Sequence, residues 1–105
     1  MDSRLYEMHA SVCAVLANPK RIRIIDSLRD GEKAAGELAR GIGITKANLS
    51  QHLNVMKTNG IVSSRRDGVS IYYRIANPKI VTACELIRDV LMEQLEEMSR
   101  LREEL

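Results

Sequence analysis

The stretch that most constrains what this chain can fold into is "AAGELARGIGITKANLSQHLNVMKTNG", residues 34 to 60. A short helix is expected around Ala34 to Arg40, and "GIG" at Gly41 to Gly43 interrupts it. Thr45 then offers a side-chain oxygen to cap a following helix, in which Leu49, Leu53 and Met56 recur on one face until Asn59 and Gly60 close it. Two helices joined by a tight glycine-containing turn of about four residues have the outline of a helix-turn-helix.

A hairpin follows at once. "RRDGVSIYYR", residues 65 to 74, has three arginines and two tyrosines around an Asp–Gly pair. Asp67 and Gly68 suit the central positions of a type I′ turn, where both residues take positive φ. Pairing outward from there puts Val62, Val69, Ile71 and Tyr73 on one face and Ser63, Arg65, Ser70, Tyr72 and Arg74 on the other. The first face is suited to packing on the helices, and the second is polar and cationic.

The remaining segments read as helices. From Ser3 to Ala17 the residues Leu5, Met8, Val12, Val15 and Leu16 recur at helical spacing, and Asn18–Pro19 ends that helix and begins a second. The second is expected to run to about Arg29, burying Ile22, Ile25 and Leu28, before Asp30–Gly31 stops it. After Asn77 as N-cap and Pro78 at the first helical position, a long last helix begins. Positions 80, 84, 87, 91, 94, 98, 101 and 105 alternate steps of four and three, and all but Gln94 are apolar. Such a seam needs covering along about 40 Å of helix, more than the rest of a small domain reaches, so a second chain is the expected cover. The architecture expected is mainly α with one β-hairpin: a winged helix-turn-helix over residues 1 to 105, with a recognition helix about 45 to 59 and a wing about 61 to 75. Long N-terminal and C-terminal dimerisation helices flank it, the latter about 78 to 104.

Charge points to the partner. The net charge is only +2, yet residues 45 to 74 hold five basic residues against Asp67 alone, while residues 77 to 105 hold four basic and seven acidic ones. A basic segment inside a near-neutral chain suits a local anionic partner, although a solvated charged face produces the same pattern. With Leu49, Leu53 and Met56 turned inward, Lys46, Ala47, Asn48, Ser50 and Gln51 are left on the flanks and outer face of the fourth helix. Residues in that position of a helix-turn-helix reach base edges in the major groove. Asn48 and Gln51 carry the donor–acceptor pair that matches adenine, Ser50 bonds to bases or phosphate, and Lys46 meets guanine or phosphate. Arg65, Arg66 and Arg74 on the hairpin are placed for salt-sensitive phosphate contacts.

These residues resemble the ArsR/SmtB family of prokaryotic winged-helix repressors. The likeness spans about residues 5 to 92 and is carried by "LANPKRIRIIDSL", by "GELARGIGITKANLSQHLNVMKTNGIVSSRRDGVSIYYRI" and by the "NP" that opens the last helix. The resemblance implies a homodimer paired through its first and last helices, binding double-stranded operator DNA at an inverted repeat and letting go when an inducer binds. It also implies a protein that is not an enzyme. His52, in "SQHL", matches a common histidine of the family and is read here as a packing or phosphate-contacting residue.

The family's known inducer sites are where this chain departs from it. Where one type places two thiols in the third helix, this sequence has Ala34 and Gly36, which coordinate nothing. Where a second type sets zinc ligands along the last helix, it has Asn77, Lys79, Val90 and Glu93, a single carboxylate where zinc needs four N, S or O donors. What remains is Cys13 in the first helix and Cys84 in the last, with His9 one turn before Cys13. If those helices pack together in a dimer, the two thiols could form a disulfide or polysulfide bridge or bind a soft ion such as As(III), with His9 as an added ligand for a divalent metal. Against this stand two inert cysteines, one of them on a heptad seam, and an unrelated small-molecule effector.

Other classes fare worse. The competing reading is a protein interaction module in which the acidic heptad helix does the binding and the basic segment is solvated surface. A catalytic domain has little support in a chain with two histidines, no paired carboxylates and no phosphate-binding glycine loop. No stretch approaches the roughly 18 apolar residues of a membrane span, and the start lacks a signal peptide's order, so a cytoplasmic protein with no membrane partner is expected.

Overall fold

Helix capping sets the element boundaries of the computed structural model, which describes residues 2 to 105. The first helix, α1 (Ser3–Leu16), starts where the Asp2 carboxylate accepts the Arg4 N–H at 3.0 Å. The second, α2 (Pro19–Leu28), starts where Asn18 Oδ1 accepts from Lys20 N at 3.0 Å and Arg21 N at 3.3 Å, with Pro19 supplying a preset φ. A two-residue strand, β1 (Lys33–Ala34), leads into α3 (Ala35–Ile42). Gly43 follows α3 at φ +81°, a left-handed turn that frees the chain to reverse into α4 (Lys46–Thr58). Thr45 caps α4 by accepting Asn48 N–H on Oγ1 at 3.1 Å. The hairpin strands are β2 (Val62–Asp67) and β3 (Ser70–Ile75), and the chain closes with α5 (Lys79–Glu104). Pro78 already has helical dihedrals, and Asn77 Oδ1 accepts Lys79 N–H at 3.0 Å, so the cap of α5 is Asn77 although the regular helix begins at Lys79.

The core is aliphatic. Ile24, Ile25 and Leu28 of α2, Leu38 and Ile42 of α3, Leu49, Leu53 and Met56 of α4, and Ile61, Val62 and Tyr73 around the hairpin are all buried together. Burying a side chain of this kind contributes about 1.5–3 kcal/mol, which is why three helices and a sheet hold together without Phe or Trp.

Four expectations are corrected. Asp67 pairs with Ser70, so the turn residues are Gly68 and Val69 rather than Asp67 and Gly68. Only Gly68 takes positive φ, at +62°, which excludes a type I′ turn and fits glycine at the first central position of a II′ turn. Val69 is therefore fully exposed at the tip instead of packing on the helices. The wing is also more than a hairpin: β1 pairs antiparallel with β3, giving a three-stranded sheet of order β1-β3-β2. A strand of two residues leaves no alternating pattern to read in the sequence. In α2 Ile24 is buried with Ile25 and Leu28, while Ile22 stays partly exposed and faces α5. Finally, α3 lies one to two residues later than read from the sequence, because Ala34 is taken by β1.

One helix stands apart. Among the described residues of α5 none is buried, and only Ile80, Val81 and Cys84 pack against the core. Beyond them Leu86, Ile87, Val90, Leu91, Met92, Leu95, Met98 and Leu101 are all at least half exposed. The radius of gyration, 16.6 Å, exceeds the roughly 13 Å of a compact chain of this length because α5 projects past the body.

Candidate nucleic-acid interface

The inward face of α4 is anchored by Leu49, Leu53 and Met56, each no more than 1% exposed, so the opposite face is held outward. Lys46, Ala47, Ser50 and Gln51 are exposed on it. The Lys46 stem lies over Gly36 of α3, where a Cβ would stand 3.5 Å from Lys46 Cε and 3.4 Å from Arg40 Nη1. The absence of a side chain at position 36 thus leaves room for Lys46 and Arg40 on that face of α3. Asn48 is partly buried, and its Oδ1 is buried with no hydrogen-bond partner among the described residues. That acceptor faces the protein, so of the two amides Gln51 is the one free to meet an adenine edge.

His52 is tied to α2. Its Nδ1 accepts from Arg21 Nε at 3.1 Å, and Arg21 Nη1 donates to Val15 O at 3.3 Å. The proton of the neutral ring is therefore on Nε2, leaving that nitrogen as a donor. Burial lowers the pKa of His52 below its ordinary value, and the charges of Arg21 and Lys20 lower it further. At the other end of α4, Lys57 Nζ donates to Ser64 Oγ of β2 at 2.7 Å, so recognition helix and wing are joined directly. Neither Arg21 nor Lys57 stood out in the sequence, since each depends on a partner 7 or 31 residues away.

The three wing arginines differ. Arg66 is exposed, with no hydrogen bond or ion pair among the described residues. Arg74 sits at the base of the wing, where its Nε donates to Ser63 Oγ at 2.8 Å, and it lines an open cleft of about 340 Å³ with Arg29, Pro78 and Thr82. Arg65 is engaged by Glu32, whose two oxygens accept from Arg65 Nε at 3.2 and 3.0 Å. The Arg65 guanidinium carbon lies 4.5 Å from the Tyr72 ring centroid. Hydrogen bonding to Arg65 is the main cause holding the Glu32 carboxyl below its usual range, and the same bond raises Arg65.

The two thiols are in unlike surroundings. Cys13 is exposed, whereas Cys84 is half-buried in a mostly apolar groove of about 170 Å³ with Leu16, Ile22, Ile87, Arg88 and Leu91. Burial raises the Cys84 pKa, with Arg88 pulling weakly the other way, so this thiol stays protonated at neutral pH. Among the described residues of one chain, no three His, Cys, Asp or Glu side chains group closely enough to hold a metal ion. A centre using His9, Cys13 and Cys84 would have to be completed by a second chain. No described helix is long and apolar enough to cross a membrane. Exposed ion pairs join α5 to α2 and to the residue that follows it: Arg88–Asp26 at 3.4 Å and Glu85–Arg29 at 2.7 Å.

A helix-turn-helix with an outward-facing polar recognition helix and a basic wing defines a winged-helix DNA-binding transcriptional regulator. The chain belongs to the arsR family of bacterial regulatory proteins, whose family model matches residues 18–64. It is 37% identical over 102 residues to the uncharacterized HTH-type transcriptional regulator Rv0081 of Mycobacterium tuberculosis, covering 96% of this chain and 90% of that one. The crystal structure of Rv0081 superposes with a TM-score of 0.82 over 92% of this chain and 98% of that chain. The solution structure of the homodimeric winged helix-turn-helix DNA-binding domain Mb0332 of Mycobacterium bovis, 34% identical, also gives 0.82, covering 92% and 93%. The biofilm growth-associated repressor of Xylella fastidiosa is 38% identical over 79 residues, 75% of this chain and 68% of that one. The family is one of transcriptional regulators, not enzymes.

Proposed function

We propose that this protein is a cytoplasmic, homodimeric repressor that binds an inverted repeat in operator DNA and is released by an inducer. The observation that carries the reading is the exposed face of α4, on which Lys46, Ser50 and Gln51 stand opposite a fully buried apolar face. Such a helix reads bases only when it is rigidly backed, and Leu49, Leu53 and Met56 supply the backing. Gln51 and Ser50, with Asn48 at their flank, are the base readers; Lys46, Arg66, Arg65 and Arg74 are the phosphate contacts. The unpartnered apolar residues of α1 and α5 support pairing with a second copy, as does the homodimer formed by the Mycobacterium bovis relative.

A gel shift on the promoter of its own gene tests this. Gln51→Ala is expected to cost about 1–3 kcal/mol against the preferred sequence while leaving generic DNA binding in place. Arg66→Ala is expected to weaken all sequences alike and to lower the salt slope by about one unit. Both variants binding like the native protein would exclude this surface and favour an interaction module working through α5.

Cys13 and Cys84 are the candidate inducer-sensing pair, by oxidation, by a sulfide species or by a soft metal or As(III). The place of Cys84 supports this: its groove is walled by α1, α2 and α5, so a modification there would move the dimer helices against the DNA-binding body. Burial raises the pKa of Cys84, which lowers its thiolate fraction and slows its reaction.

A further inference from the structure

The three strands of the wing bring Glu32 to Arg65. Arg65 of β2 is in register with Tyr72 of β3, and Tyr72 is in register with Ala34 of β1. Those three side chains share the outward face of the sheet, and Glu32, two residues before Ala34, shares it too. Its carboxylate reaches over the central strand to Arg65, with Oε2 accepting from Nε at 3.0 Å and Oε1 from Nη2 at 2.5 Å. The remaining nitrogen, Nη1, lies 3.9 Å from Asp67 Oδ2. The fork of donors with which an arginine grips a phosphate is therefore occupied by a carboxylate presenting the same pair of oxygens.

We propose that Glu32 is an internal stand-in for DNA phosphate: it presets Arg65 over Tyr72 in the free protein and competes with the DNA backbone for it, so that Glu32 tunes both affinity and salt dependence. This rests on the reading of the wing as a DNA contact. Both partners are partly exposed, Arg65 at 49% and Glu32 at 35%, so the pair is reachable and weak enough to exchange. A long side chain already held over an aromatic ring has less freedom to lose when it meets DNA. The same clasp cancels its charge. When Arg65 takes a phosphate, the counterions released from DNA are offset by cations gathered at the freed Glu32, so the contact adds little to the salt slope. Arg66, on the same strand and without a partner, adds the full amount of about 0.9. Glu32 stays ionised at neutral pH, so the competition operates under ordinary conditions.

The test is a fluorescence anisotropy titration of a generic-sequence duplex over a range of salt, with the native chain, Glu32→Gln, Arg65→Ala and the double variant. Phosphate contacts are blind to sequence, so no operator need be known. Glu32→Gln is expected to tighten binding about two- to fivefold, the range of an exposed ion pair, and to steepen the salt slope by about 0.9. In the Arg65→Ala background the same change is expected to do neither. Unchanged or weaker binding by Glu32→Gln overturns the proposal, and so does a gain that survives undiminished without Arg65, which would reflect net charge alone. A native protein that fails to bind any duplex at low salt removes the DNA-binding reading itself, a separate and recognisable outcome.

Discussion

His52 shows how much of this interface depends on single side chains fastened from behind. It follows Gln51 in α4, and its bond from Arg21 ties to α2 the turn of α4 that carries the proposed base readers. Protonating Nδ1 would break that bond and set a cation beside Arg21 and Lys20. Because the folded pKa lies below the unfolded one, the unfolded chain takes up the proton first as pH falls. Stability is therefore complete above about pH 6.5 and declines below it until the lower folded pKa is passed. Thermal melts between about pH 7.5 and 5.5 are expected to show a steeper loss for the native chain than for His52→Gln. Parallel declines would remove His52 as the cause. The same scale accounts for the contrast among the arginines: Arg66 is open, Arg74 leans on Ser63 and Arg65 is clasped, although all three read alike as charges in a row.

At the scale of elements, α5 makes two different kinds of contact. Its first turns, through Ile80, Val81 and Cys84, close the core, and the large apolar residues of its later turns are at least half exposed in the chain. Ending the chain after Leu91 is thus expected to leave the body folded, with near-native melting of the monomer at high dilution, while the dimer dissociates more readily in sedimentation. An equally tight dimer would place the interface elsewhere, on α1 or the first half of α5. The wing is the other element whose role follows from its joints. Lys57 to Ser64 ties it to the recognition helix and β1 ties it to α3, so α4 and the wing are joined on the face proposed to meet DNA.

For the molecule as a whole, the groove holding Cys84 lies among α1, α2 and α5, while the exposed ion pairs Arg29–Glu85 and Arg88–Asp26 join α5 to the body of the domain. Under the proposed function, a change in the groove is expected to alter the spacing of the two recognition helices in a dimer. If Cys13 and Cys84 form the sensing pair, diamide, polysulfide or arsenite is expected to release the protein from DNA, and Cys84→Ser is expected to abolish that response. A normal response from Cys84→Ser would end the two-thiol mechanism and leave a small-molecule effector as the inducer.

The order of elements was legible in the sequence because it rests on local chemistry. Asn18, Thr45 and Asn77 cap helices by bonding backbone two or three residues away, and Leu49, Leu53 and Met56 select their buried face by period alone. The cationic face of the hairpin was legible for the same reason, since alternation survives even where the turn is misplaced by one residue. Tertiary structure decided what depends on distant partners: that β1 joins the sheet, that Ile24 rather than Ile22 enters the core, and that Asn48 turns its acceptor inward. It also decided that Glu32, 33 residues before Arg65, closes over it. Propensity and periodicity act over one or two turns of chain, whereas the choice of partner for a charge is made only when strands and helices are brought side by side.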